Sequence, residues 1–502
     1  MRIHFIGICG VAMSALAIAF KKAGHEKLPD GSLVPCFEVS GSDVGFFPPV
    51  STNLEKHNIK FYPGWHPEKM GTPDLVVVGN VASSTNPEWQ YVQEKKLNYK
   101  SYPEAIEEFF IKENSIVCAG TYGKTTTSAL LAFVLSECGY NPSYMFGGIA
   151  VDEGFDSASL GNEPRKVQTS SEPRGGYSVT EGDEYKSARW DNGAKFFHYH
   201  PTHLLLTAIQ WDHADVYPTE ESYFEAFEKL VKSVPENGLL VMSEQISDSK
   251  YQIANSIRYG QSEKNDYVYF DIHQTKDGIK FQIKHNAICY LLSANMFGSY
   301  NAENITGVFA LANEIGLEPE KIISAINKFK GLKRRLEKRY ENKITIFDDI
   351  AHSPAKANSV LQTLAKIYKR HPREGGDLTE IQDSRLRGND EPKLFCVFEP
   401  NTGNRQAQSA PSYSNAFKDA DEVIIPKLTK LKTSEELKHW EGKELAEIIS
   451  QIHNNVKYLE NDNELINYLI NNTSEGDVIV FCGSHGFRGM IDELILSFRT
   501  HR

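Results

Sequence analysis

The chain has 502 residues, 40% of them hydrophobic and 24% charged, with a formal net charge of −12. That length exceeds what one hydrophobic core organises, and the composition excludes a fibrous or wholly disordered chain, so roughly three domains are expected. The negative balance offers no general attraction to nucleic acid or anionic lipid, and any polyanionic ligand has to be held by a local site.

Seven cysteines, at positions 9, 36, 118, 138, 289, 396 and 482, stand singly without a C-x-x-C pair. Scattered reduced thiols of this kind predict a cytoplasmic protein. The opening "MRIHFIGICGVAMSALAIAFKKAG" joins a basic start to an apolar run, as a signal peptide does. Its glycines divide it differently: 3–6 reads as a short β-branched strand, Gly7 and Gly10 as a turn, and 11–23 as a helix ended by Gly24. No stretch approaches the roughly 20 apolar residues of a membrane span, so no insertion into a membrane is expected.

Three regions each begin with apolar strands that lead into helices, which predicts an α/β protein. In 1–112, "RIHFIG" and "DLVVVGN" have the glycine-bounded form of buried parallel strands. Region 113–329 starts with "SIVCAG", continues through the helical "TTTSALLAFVLSECG", and adds "HLLLTAI", "GLLVMS" and "NAENITGVFALANEIG". Region 330–502 contains "KITIFDDI", "KLFCVFEP", "DEVIIPK" and "GDVIVFCG", whose carboxyl ends carry the polar or glycine residues at which open α/β sheets bind ligands. Segments 27–38, 163–176 and 370–392 are turn-rich or strongly charged and read as inserted surface loops.

"CAGTYGKTTT" (118–127) lies between an apolar strand and a long helix, the context of a phosphate-binding loop, although Cys118 stands where G-x-x-x-x-G-K-[ST] has its outer glycine. Gly120 and Gly123 let backbone amides approach phosphate oxygens, Lys124 reaches the β and γ phosphates, and Thr125 can hold Mg2+ at the helix N-terminus. "VTEGDEYKSA" (179–188) supplies three acids within four positions, and "IQWDHADVYP" (209–218) ends a strand in Asp212, His213 and Asp215. Carboxylate oxygens suit Mg2+, and two such strand ends beside a phosphate loop reinforce one another. "GICGVAMS" lacks the G-x-G-x-x-G spacing because position 9 is Cys, which argues against a nicotinamide or flavin oxidoreductase. The turn still suits a diphosphate, while Asp43 reads equally as a ribose or base contact and as a turn residue.

"GTYGKTTT", "EGDEY", "DHADVYP", "GSYNAENITG", "LKRRLE" and "FDDIAHSP" occur in an order and at a spacing that resemble the Mur ligase family, the ATP-dependent amide-bond-forming enzymes of peptidoglycan synthesis. The resemblance covers the chain apart from the three insertions. It implies an N-terminal Rossmann-like domain for a UDP-sugar, a central P-loop ATPase with a mostly parallel sheet, and a C-terminal Rossmann-like ligase domain. "GICGVAM", "GNVASSTNPE" and "FHYHP" are most similar to the branch acting on UDP-N-acetylmuramate, whose acceptors are L-alanyl-γ-D-glutamyl-meso-diaminopimelate or, alternatively, L-alanine.

The resemblance implies that Gly7, Cys9, Gly10, Ser42, Asp43, Asn80, Ser83 and Asn86 bind the UDP-sugar. It assigns ATP to Gly120, Thr121, Gly123, Lys124, Thr125, Thr126, Asn301, Asn304, Arg335 and Asp349. Thr125, Glu181 and His213 would hold metal, with Lys124, His213 and His352 catalytic. Tyr300 replaces a frequent His, Ser353 a second His, and Asn401 the arginine expected after Glu399 and Pro400, so that tripeptide specificity would require Arg405 to substitute. A carbamylated lysine is not assigned, since ungapped counting reaches Glu228 with Lys229 beside it. A nucleotide-binding relative without catalysis is the remaining alternative. The chemistry implied is transfer of a γ-phosphoryl group to the sugar carboxylate, then attack of an amine on the acyl phosphate.

Overall fold

The structure, a computed structural model, describes residues 1–27, 33–46, 50–161, 176–211, 216–246, 251, 253–369, 391–429 and 439–500. Two compact units divide the chain: one comprises Met1–Ile272, Lys280–Asn295 and Tyr300–Lys330, the other His273–Ile279, Met296–Ser299 and Gly331–Arg502. Among the described residues the first unit holds a five-stranded sheet, a longer sheet and a two-stranded pair, and the second unit holds a six-stranded sheet.

In the first sheet five parallel strands lie in the order Lys60–Pro63, Glu38–Asp43, Arg2–Ile6, Leu75–Val78 and Tyr99–Ser101. Ile3, Phe5, Leu75 and Val77 are buried against the helix Val11–Lys22, whose Leu16 and Phe20 are also buried. Burying each such side chain contributes about 1.5–3 kcal/mol, which fixes the glycine turn at the carboxyl end of the first strand.

The second sheet is parallel across Ser143–Met145, Tyr177–Gly182, Asn114–Ala119, His203–Leu206, Leu239–Ser243 and Ser256–Gly260. Its register sets Ala119 opposite both Gly182 and Leu206. Three strand ends therefore converge where the phosphate loop begins. Tyr267–Thr275, Gly278–His285 and Ile288–Ala294 extend this sheet. Strands 256–294 were not anticipated from the sequence, although the alternating "YVYFDIHQT" and "GIKFQIKH" flank an Asp-Gly step of hairpin type.

In the second unit, Glu337–Glu341 pairs antiparallel with Thr345–Asp349, and parallel strands follow in the order Val478–Gly483, Leu394–Glu399, Glu422–Pro426 and Val456–Leu459. The fold is the expected three-domain α/β arrangement with mostly parallel sheets.

One expectation is corrected. Segment 27–38 is not simply a loop, because Leu33–Pro35 pairs antiparallel with His25–Lys27 and Glu38 already belongs to the first sheet. Cross-strand pairing satisfies backbone groups that a bare loop would leave to solvent. Residues 163–175 and 370–390 lie outside the described residues. Among the described residues no helix is long and apolar enough to cross a membrane, and all seven cysteines are free thiols.

Candidate active site

The phosphate loop takes its shape from two glycines. Gly120 has φ +135° and Gly123 φ +83°, in the region where an L side chain is strained. A Cβ on Gly120 would stand 2.3 Å from Thr207 Oγ1 and 2.7 Å from the Ala208 carbonyl oxygen; one on Gly123 would stand 2.5 Å from Asn304 Oδ1. The Thr121 amide donates to the Ala208 carbonyl at 2.7 Å and its hydroxyl to the Gln210 carbonyl at 2.8 Å. Cys118 is wholly buried on the strand, and burial pushes its thiol up. The outer glycine of the longer motif is therefore not needed, since Gly120 makes the close approach. Asn304 donates to Asn301 Oδ1 at 3.1 Å, which places both asparagines beside the loop.

The helix Lys124–Glu137 starts at the loop, and its first two side chains face acids. Lys124 Nζ lies 2.8 Å from Glu184 Oε2 and 3.0 Å from Oε1, the Glu184 side chain being wholly buried. Thr125 Oγ1 donates to Glu181 Oε1 at 2.8 Å, and the Gly147 amide donates to Glu181 Oε2 at 2.6 Å. Burial raises the Glu181 pKa against the Gly147 amide, Lys124 and the Thr125 hydroxyl. Asp183 is the converse: burial would raise it, but the Lys195 ammonium at 2.6 Å and the Tyr185 amide hold it below the usual range. A threonine hydroxyl touching a carboxylate at a helix N-terminus is an all-oxygen donor set. It fits Mg2+, which uses one or two carboxylates and takes its other ligands from phosphate and water. Among the described residues no three His, Cys, Asp or Glu are grouped to hold a metal on their own, and His213 lies outside the described residues.

A cavity of about 280 Å3 connects this cluster with the first sheet. Gly7, Gly10 and Met13 line it from the N-terminal turn, with Gly79, Asn80 and Val81 beside them. Gly147, Glu181, Asp183, Ser187 and Lys195 line it from the central region. Gly7 has φ +87°, and a Cβ there would stand 2.4 Å from Val81 Cγ2. Asp43 Oδ2 accepts the Cys9 amide at 2.9 Å and Oδ1 the Val44 amide at 2.7 Å, so this carboxylate braces the turn from behind. The Cys9 thiol is pushed up to about 12 by burial and by Asp43, and it stays protonated. Asn86 caps the helix Pro87–Lys95 by accepting from the Glu88 and Trp89 amides. Ser42 donates to the buried Glu88, and the exposed Ser83 hydrogen-bonds Thr85 at 2.9 Å. Of the eight sugar-site residues expected, Gly7, Gly10 and Asn80 line the cavity, and Asp43, Ser42 and Asn86 support its walls. The two regions also meet through Trp89 and Trp190, whose rings stack at 5.2 Å and 12°, and through Arg189, which donates to the Ala82 carbonyl at 3.2 Å.

Comparison with known proteins follows this division. Residues 2–113 match the Mur ligase family catalytic domain, 118–312 the Mur ligase middle domain, and 334–485 the Mur ligase glutamate ligase domain. The UDP-N-acetylmuramate–L-alanyl-gamma-D-glutamyl-meso-2,6-diaminoheptandioate ligase of Haemophilus influenzae is 32% identical over 73% of this chain and 76% of its own. The chain belongs to the Mur ligase family. The ligase of the same description from Escherichia coli is 29% identical over 99% of this chain and 98% of its own. A UDP-N-acetylmuramate–L-alanine ligase of Desulfitobacterium hafniense is 27% identical over 96% and 97%. The crystal structure of a UDP-N-acetylmuramate–alanine ligase from Thermotoga maritima shares the fold, with a TM-score of 0.74 at 22% identity over the full length of both chains. As a Mur ligase, this protein is an ATP-dependent ligase of peptidoglycan metabolism.

The second unit of this Mur ligase carries the remaining expected residues. Asp349 is buried, and its oxygens accept the Leu336 amide at 2.6 Å and the Ala351 amide at 2.7 Å. His352 Nδ1 is 2.7 Å from the Ile350 carbonyl; burial lowers its pKa, with Lys356 adding to the effect, so the imidazole is neutral. Arg335 is exposed beside Arg334, whose guanidinium instead donates to the carbonyls of Gly483, Ser484 and His485 at 2.5, 3.1 and 2.8 Å. Arg405 is 2% exposed and donates to the Pro400 and Thr429 carbonyls at 3.0 and 2.9 Å, so it does not present its charge in place of the arginine absent at 401. Sequence reasoning singled out the acids of "EGDEY" but not Glu184 as the partner of Lys124, and it gave no role to Lys195. Neither pairing has a spacing signature, because the partners stand 60 and 12 positions apart.

Proposed function

We propose that this Mur ligase activates the lactyl carboxylate of UDP-N-acetylmuramate and joins it to the amine of L-alanyl-γ-D-glutamyl-meso-diaminopimelate. The observation that carries the reading is the single cavity that runs from the glycine turn at Gly7 and Gly10 to Glu181, which itself bonds the phosphate-loop residue Thr125. A nucleotide-sugar diphosphate at the turn would direct its sugar toward the nucleotide at Lys124. We assign 1–112 to the UDP-sugar, 113–329 to ATP and 330–502 to ligation.

In this reading a carboxylate oxygen of the sugar attacks the γ-phosphorus, the bond to the bridging oxygen of ADP breaks, and ADP leaves. The amine then attacks the acyl phosphate, loses its proton and displaces inorganic phosphate. Lys124 and the amides of the Gly120–Gly123 turn bind and neutralise the transferring group. Mg2+, which Thr125 and Glu181 would hold, supplies further positive charge for the phosphates. Orienting both reactants contributes about 7–11 kcal/mol toward the barrier, and the cavity walls keep water from the acyl phosphate.

The acceptor follows the two relatives described as tripeptide ligases. L-alanine is the second reading, favoured by Asn401 and by the enclosed Arg405. Phosphate release measured with ATP and UDP-N-acetylmuramate, with tripeptide, with L-alanine and with neither, tests both. Release that requires tripeptide supports the first reading, and release that requires L-alanine supports the second. No release with either acceptor refutes both and leaves a nucleotide-binding relative without catalysis.

A further inference from the structure

We infer that Lys195 recognises the lactyl carboxylate of the sugar, and so separates UDP-N-acetylmuramate from UDP-sugars that lack that group. The inference rests on the function proposed above. Two carboxylates, Glu181 and Asp183, and one cation, Lys195, are among the residues that line the cavity. A substrate carboxylate entering next to two acids meets repulsion, and repulsion between charges grows as water is excluded. Mg2+ held by Thr125 and Glu181 would offset one of these acids, and Lys195 is the side-chain cation on the wall beside the other. Lys124 is outside the lining, and the function proposed above gives it to the phosphates.

Lys195 is held in place for this task. It begins the 3-10 turn Lys195–Tyr199, its amide donates to the Tyr185 carbonyl at 3.0 Å, and the next amide donates to the Asp183 carbonyl at 3.2 Å. Phe196 and Tyr199 are buried and anchor the turn. The Lys195 side chain is 18% exposed, with Nζ 2.6 Å from Asp183 Oδ2. An ammonium has three donors, and Asp183 accounts for one. Asp183 orients the cation from one side and leaves it able to donate to an anion within the cavity. The glycine turn lines the cavity from the N-terminal strand and suits the diphosphate, so the charge assigned to Lys195 belongs to the sugar end.

Calorimetric titration of the full-length protein with UDP-N-acetylmuramate and with UDP-N-acetylglucosamine, which lacks the lactyl group, tests this. Wild type is expected to bind the muramate at least about tenfold more tightly, about 1.4 kcal/mol. Lys195→Met should remove that preference and leave affinity for the glucosamine unchanged. Should the methionine variant fail to fold, Lys195→Gln is read in the same way, with Lys195→Arg as the charge-retaining control. Equal weakening for both sugars would place Lys195 on the diphosphate and overturn the inference, as would a preference that survives either neutral substitution or is absent from wild type. If wild type binds neither sugar, the proposed function itself fails, a result distinct from all of these.

Discussion

Gly120→Ala tests whether the shortened phosphate loop depends on close backbone approach. At φ +135° an alanine is strained by about 1–3 kcal/mol. Its Cβ would also lie 2.3 Å from Thr207 Oγ1, 2.7 Å from the Ala208 carbonyl oxygen and 2.9 Å from the Ala208 nitrogen. Neither neighbour is free to retreat. Thr207 donates to the Ala119 carbonyl at 3.2 Å, and the Ala208 carbonyl accepts the Thr121 amide at 2.7 Å. Losing those two bonds adds about 1 kcal/mol each, for a total of about 3–5 kcal/mol. Gly139 provides the reference: it has φ +88°, but nothing lies within 4 Å of its added Cβ, so Gly139→Ala should cost only the strain, about 1–2 kcal/mol. Urea denaturation of both variants, with fluorescent-nucleotide titration, reads stability and the loop separately. Gly120→Ala should be the less stable by about 2–3 kcal/mol and should lose nucleotide affinity, while Gly139→Ala binds as wild type. Equal stability of the two variants with nucleotide affinity retained in both would refute the reasoning.

Lys124→Ala should abolish ATP-dependent ligation while the protein remains folded by circular dichroism, and near-wild-type turnover would remove Lys124 from the phosphate site. Glu181→Gln should raise the Mg2+ concentration needed for half-maximal ligation by about tenfold or more, since a carboxylate ligand is lost; an unchanged titration would exclude Glu181 as a ligand. For His198, burial disfavours the imidazolium, but Glu107 and Asp191, each 2.8 Å from a ring nitrogen, raise its pKa above the ordinary value. A raised folded pKa gives stability that is full below the unfolded value, about 6.5, and is lost as pH rises through the folded value. His198→Gln should therefore cost more stability at about pH 5.5 than at about pH 9, and chemical denaturation at both pH values checks the sign. Arg405→Met should destabilise by about 3 kcal/mol or more because it strips a buried guanidinium from Glu399. Its acceptor preference, assayed by phosphate release, should stay as in wild type.

The phosphate loop was legible in sequence because strand, glycines, lysine and helix are contiguous, and the strand ends carrying Glu181 and Thr207 follow from the parallel register. The backbone bonds of Asp43 and Asn86 were not, because a polar residue near a ligand turn reads alike whether it touches ligand or backbone. Here Asp43 accepts two amides and Asn86 caps a helix. The strands of 256–294 were missed for another reason: their alternation of apolar and polar residues was available, but no motif drew attention to it. Arg405 shows the limit of position counting, since its charge lies near the expected place in sequence yet is used inside the fold.

The stacked indoles of Trp89 and Trp190 give the first unit an intrinsic optical gauge. The chain has five tryptophans, and only these two are paired face to face among the described residues. Parallel rings 5.2 Å apart couple electronically, so any separation of Trp89 from Trp190 changes near-ultraviolet circular dichroism and fluorescence without an added label. Movement of the two indoles relative to one another can then be followed in the unmodified protein, with Trp190→Phe as the blank.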